Sequence, residues 1–113
     1  MVQIKVKEEE VNIKFGIGEL TAIDQELGLS VEEINLGEGL EMLVPKLKTG
    51  NMIAIAKIIK ACLKSYKHKP KTDEEVEDVL ENILDDYGTF KDFGEACIQQ
   101  LGEKRLTREL VEE

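Results

Sequence analysis

Chain breakers are scarce in this sequence. Two prolines and nine glycines are spread over 113 residues, too few for a linker or a low-complexity protein. Long apolar runs are missing as well. None approaches the ~20 residues of a membrane-spanning helix, and Met1–Lys7 alternates apolar with polar residues where a signal peptide would be continuously apolar. The two cysteines, Cys62 and Cys97, stand in apolar helical patterns with no metal-ligand spacing. They read as buried free thiols of a reducing cytoplasm, with a disulfide between them as the minor alternative. Basic residues are outnumbered, 15 against 24 acidic, and the resulting net charge of −9 repels phosphate. What remains is 42% hydrophobic and 35% charged residues, enough to build the core of one small domain.

Catalytic chemistry is also lacking. The single histidine, His68, sits in a lysine-rich loop with no acid or nucleophile beside it. The acids between Asp73 and Asp86 lack the glycine and alternating ligands of a calcium loop and read as a solvated helix face. Gly16-x-Gly18 is a fragment of a phosphate-loop pattern with no lysine after it, and a strand-to-helix bend explains it better. Neither Ser30 nor Ser65 occupies a nucleophile elbow. The sequence therefore predicts no enzyme, no metal and no cofactor.

Hydrophobic spacing predicts an α+β fold, predominantly α, in which an N-terminal β-hairpin packs on a bundle of four to five helices. Val2, Ile4 and Val6, then Val11, Ile13 and Phe15, alternate with polar residues, the period of half-buried strands. Lys7–Glu10 joins them as a charged turn without the Asn-Gly of a tight two-residue loop. Leu20, Ile23 and Leu27 have helical spacing, and Gly28 reads as a left-handed terminator. A capping box at Ser30–Glu33 starts a helix that Gly37 and Gly39 limit to about one turn. Leu40, Leu43, Val44 and Leu47 form the next stripe, kinked at Pro45 or begun only a few residues before it, and closed by Thr49-Gly50-Asn51. Met52–Tyr66 is apolar around most of its circumference, as a central helix with several neighbours would be. A second capping box, Thr72–Glu75, opens a helix with Val76, Val79, Leu80, Ile83 and Leu84, and Thr89 caps a last helix with Phe90, Phe93, Cys97, Ile98 and Leu101. The domain is expected over residues 1–102, with the hairpin in 1–17 and helices in 18–102. A charged tail, 103–113, follows as either a short helix or a frayed end.

Charge is sorted along the chain. Eight lysines and no acid lie between Lys46 and Lys71, and eight acids and no base between Thr72 and Tyr87. Two adjacent helices that complement each other along their exposed rims would explain this, each exposed pair contributing under about 1 kcal/mol. The sharper alternative is head-to-tail self-association of copies through Lys57, Lys60 and Lys64 on one side and Glu77 and Glu81 on the other.

The succession of residues resembles a known family. It runs from Lys14-Phe15-Gly16-Ile17-Gly18 through Leu20-x-x-Ile23-Asp24 and Gly28 to Gly39-Leu40-Glu41-x-Leu43-Val44-Pro45-x-Leu47. Gly50-Asn51, an Ala- and Ile-rich helix and the capped acidic segment Thr72–Leu80 complete it. The likeness covers roughly residues 2–101 and is to the tail assembly chaperones of long-tailed, siphovirus-type phages and prophages of Gram-positive bacteria.

That resemblance implies a binding protein of the host cytoplasm, absent from the finished virion. It would coat the aggregation-prone tape measure protein until tail-tube protein polymerises around it. It also implies a longer frameshift product of which this chain, ending at Glu113, would be the short form. A holder of amphipathic helices needs an apolar groove, and Leu40, Met42, Leu43, Leu47, Met52 and Ile53 are the candidate client contacts, although each taken singly reads first as core. Two other classes stay open. One is a small acidic helical protein–protein interaction module or regulator. The other is weak nucleic-acid binding through Lys46–Lys71, disfavoured by the eight acids that follow and by the lack of arginine there.

Overall fold

The computed structural model describes residues 1–28 and 38–112. The Ser30–Glu33 capping box, its short helix and Gly37 lie outside the described residues. The N-terminal hairpin pairs β1 (Gln3–Val6) antiparallel with β2 (Glu9–Asn12), Ile4 opposite Val11 and Val6 opposite Glu9. Period-two alternation puts Val2, Ile4, Val6, Ile13 and Phe15 on the buried face. The turn departs from expectation: Lys7 and Glu8 alone close it, with φ of 49° and 71°. Positive φ at both central residues is the signature of the tight hairpin turn, here built without Asn-Gly. Contacts around the turn hold it in place. Lys7 Nζ lies 3.3 Å from Glu75 Oε2, and the Tyr66 hydroxyl donates to the Glu9 carboxylate. Since a non-glycine residue at such φ is strained by about 1–2 kcal/mol, Glu8→Gly is expected to stabilise the protein by about 0.5–1 kcal/mol. A higher urea midpoint with an unchanged slope would show it.

Seven helical segments follow among the described residues: α1 (Ile17–Leu27), α2 (Glu38–Glu41), α3 (Leu43–Thr49), α4 (Met52–Cys62), α5 (Asp73–Tyr87), α6 (Phe90–Glu103) and α7 (Arg105–Val111). The expected helical bundle is present, with two additions to its four to five helices. The Leu40–Leu47 stripe is divided at Met42, with Pro45 in the first turn of α3, where its missing N–H costs nothing. The charged C-terminal stretch forms α7, with Thr107 buried and its hydroxyl donating to the Leu101 carbonyl. The fold is thus predominantly α with one hairpin.

Helix starts follow the capping chemistry. Asn51, Thr72 and Thr89 each accept a hydrogen bond from the backbone amide three residues on. Gly16 is the N-cap of α1, and its amide donates to Glu19 Oε1 at 3.1 Å, so the Gly16-x-Gly18 pattern is a bend. The Thr72–Glu75 box is only half formed: Glu75 Oε1 accepts from the Lys71 amide at 2.7 Å. That bond foremost, and then Lys7, holds the Glu75 carboxyl below its ordinary pKa. Gly28 ends α1 with φ −63°, not in the left-handed region. Gly50 does adopt that region, with φ 67°, and a side chain there would also press on Phe90 and Lys91 of α6. The central helix α4 stops at Cys62, a turn short of the Met52–Tyr66 pattern, because the chain turns after it and buries Leu63.

Two devices tie the hairpin down. The first is Gln100, buried on α6, which stands where the ladder would otherwise continue. Ile13 N–H donates to the Val2 carbonyl at 2.8 Å, but the reciprocal pair is bridged by the Gln100 amide. Val2 N–H donates to Oε1, and Nε2 donates to the Ile13 carbonyl at 2.8 Å. Second, α5 covers the outer edge of β1: the Tyr87 hydroxyl donates to the Gln3 carbonyl and Asn82 Nδ2 to the Lys5 carbonyl, at 2.9 and 3.0 Å. Gln100→Leu orphans two buried backbone groups and is expected to cost about 2–3 kcal/mol. Chemical denaturation would measure the loss, and an unchanged midpoint would show that water replaces the amide.

Candidate functional site

The sequence of α5 sorts into three parallel rows spaced four residues apart, the spacing that stacks side chains on one helix face. Val79 and Ile83 point into the core, 2% and 0% exposed. Val76, Leu80 and Leu84 form the next row, and Asp73, Glu77 and Glu81 the third. Helix α4 is sorted likewise. Ile55, Ile58 and Ile59 are buried, whereas Met52 and Ile53 stand 50% and 59% exposed, with Ala56 half-buried beside them.

Met52, Ile53 and Ala56 of α4 and the Val76–Leu80–Leu84 row of α5 line a common groove of about 520 Å³; Val76 and Leu80 are buried, 8% and 9% exposed, and Leu84 is half-buried. Its floor is Met52, Ile53, Ala56, Val76, Leu80, Leu84 and Phe90; Lys57 and Lys60 edge it on the α4 side and Asp73, Glu77 and Glu81 on the α5 side. Phe90 closes the end near the start of α4, since Gly50 rests against Phe90 and Lys91. The adjacent-rim reading of the sorted charges does not hold in its simple form. An apolar trench separates the rims, and among the described residues no ion pair within 4 Å joins these lysines to these acids.

The structure divides the six candidate client contacts. Met52 and Ile53 lie in the groove. Leu43 and Leu47 are wholly buried core residues and present no surface; they face inward because α3 is packed against α6. Leu40, half-buried, and Met42, exposed, lie outside the groove lining. Of the five charged candidates for self-association, Lys57, Lys60, Glu77 and Glu81 all edge the groove. Lys64 instead borders a 230 Å³ cavity with Gln25, Glu26 and Lys69. Sequence reasoning missed Val76, Leu80, Leu84 and Phe90 as groove residues. The signal was the width of the α5 stripe: five apolar positions exceed what one core-facing row needs.

The other concavities are less suited to an apolar partner. A 640 Å³ depression beside the hairpin turn is walled largely by Lys5, Lys7, Glu8, Glu75 and Asp78. Both cysteines are free, Cys62 half-buried and Cys97 buried. Burial, and secondarily Glu19, pushes the Cys62 thiol up to about 12, and burial raises Cys97 too, so neither is a nucleophile near neutral pH. His68 is an exposed loop residue with its ring edge-on to Tyr66, at 5.9 Å. Among the described residues no group of three His, Cys, Asp or Glu side chains could hold a metal ion, and no helix is long and apolar enough to cross a membrane.

The comparison with protein families gives a match over almost the whole chain: the model of the phage tail assembly chaperone proteins, TAC, matches residues 3–113. The chain belongs to that family. No curated protein and no solved structure matches it. The match runs from β1 to the residue after the last described one, so it takes in every residue of the groove.

Proposed function

We propose that this tail assembly chaperone binds amphipathic helical segments of the tape measure protein in the α4–α5 groove. It thereby keeps that protein soluble in the host cytoplasm until tail-tube protein polymerises around it, and it acts without catalysis. The observation that carries the reading is the pairing of Met52 and Ile53, half or more exposed, with the Val76–Leu80–Leu84 row in one trench. Only about two helical turns of α4, roughly 12 Å from Met52 to Lys60, border the trench. A single site is therefore short and its grip weak. Many copies along one elongated client would act together through avidity, while each remains easy to displace. The net charge of −9 keeps a loaded assembly soluble.

Co-expression tests the reading. With the tape measure protein from the same tail gene cluster, the chaperone is expected to raise the soluble fraction several-fold and to co-elute with it. Equal tape-measure solubility with and without saturating chaperone would overturn the proposal.

A further inference from the structure

The groove's two edges carry opposite charge, and an elongated helix has a direction. On the α4 side stand Lys57 and Lys60 with no acid; on the α5 side stand Asp73, Glu77 and Glu81 with no base. All five are exposed, and no ion pair within 4 Å links one edge to the other, so both rows are open to a third party. A helix lying in the trench buries its apolar stripe against the floor and holds its two flanks against the two edges. If one flank is acidic and the other basic, only one of the two antiparallel ways of laying it down brings unlike charges together. Turning the helix end for end exchanges its flanks and sets acid against acid and base against base.

We propose that the groove selects an amphipathic helix with one acidic and one basic flank, and that the charged edges fix its N-to-C direction. The partner's acidic flank lies along Lys57 and Lys60, and its basic flank along Asp73, Glu77 and Glu81. The inference rests on the groove being the client site and adds what it recognises. Its consequence is that copies bound along a helix that keeps its flank order all sit the same way round, an ordered coat rather than a random one. Self-complementarity is the competing occupant: a second copy set groove to groove, with the symmetry axis along the trench, would also bring lysine edge to acidic edge.

The full chain and four synthetic helices of about 18 residues, five turns, make the test. All share one Leu/Ala stripe. Two carry one Glu flank and one Lys flank in opposite orders, one carries Glu on both flanks, and one carries Lys on both. At physiological ionic strength, where the net charge of −9 is screened beyond about 8 Å and only the edge contacts discriminate, both mixed helices are expected to bind several-fold more tightly than either like-flanked helix, from several exposed pairs acting together. A nitroxide on the peptide N-terminus should broaden backbone resonances near Met52 and Leu84 for one mixed helix and near Lys60 and Asp73 for the other. In the variant K57E/K60E/E77K/E81K, whose altered positions are all exposed, each mixed helix should bind in the reverse direction.

Equal affinity for all four helices overturns the inference. So does broadening at both ends, an unreversed direction in the variant, or a dimer of the chain that no helix displaces. Tape-measure solubility separates this outcome from the functional reading. Solubilisation without directional peptides keeps the function and removes the inference, while directional peptides without solubilisation do the opposite.

Discussion

Gly94→Ala is expected to destabilise the protein by about 3 kcal/mol or more, lowering the thermal midpoint by roughly 15 °C. Gly94 is buried on α6, where α3 crosses it, and a β-carbon built there would stand 2.0 Å from the Leu47 carbonyl oxygen. The obstruction is backbone, which cannot rotate aside as a side chain does, so the two helices must separate. Separation would loosen the packing of Leu43 and Leu47, both wholly buried. Gly102, on the same helix, is the internal control. A β-carbon there meets nothing within 4 Å, so Gly102→Ala should stabilise by about 0.5–1 kcal/mol through helix propensity alone. Calorimetry on both variants reads the contrast, and a Gly94→Ala protein melting with the parent would mean that the α3–α6 approach is wider than described.

The second large effect is on binding alone. Replacing Met52 and Ile53 together by glutamate is expected to return tape-measure solubility to its chaperone-free level while the melting temperature stays level or rises. Both side chains project into the trench, at least half exposed, so little core packing is lost. They are also the first two residues of α4, where a negative charge meets the positive end of the helix dipole and contributes about 0.3–1 kcal/mol. Loss of function without loss of stability is therefore the outcome to look for, by soluble yield and calorimetry on the same preparation. Undiminished solubilisation by this variant would remove the groove as the client site. Leu43→Ala or Leu47→Ala would be uninformative here. Deleting such buried side chains costs about 2–5 kcal/mol, and a failing chaperone would then be merely an unfolded one.

The groove was half legible in the sequence. Met52 and Ile53 stood out because α4 has apolar residues on more of its circumference than one neighbour could cover. Leu43 and Leu47 have the same character, yet they belong to the core. What separates the two pairs is a neighbour: Gly94 lets α6 approach the α3 backbone and bury one pair, while α4 and α5 part enough to leave the other open. No property of the leucines themselves signals this. Hairpin alternation was legible for the opposite reason, since period two follows from backbone geometry within a few residues. The turn within it was not, because Lys7 and Glu8 have no intrinsic preference for positive φ and are held there alongside contacts with Glu75 and Tyr66, more than fifty residues away.

By itself, the order of residues determined the two strands and the longer helices, where α4, α5 and α6 start, the separation of lysines from acids, and the likeness to tail assembly chaperones. All of these are local or additive properties, set by spacing, capping and composition. Tertiary structure alone decided that Gln100 completes the hairpin, that α7 is seated on α6, and which greasy side chains remain uncovered. It decided too that the sorted charges edge an open trench and are not paired across a closed contact. Such outcomes depend on how closely two distant backbones approach, a distance set by the packing of the whole molecule and written in no single segment.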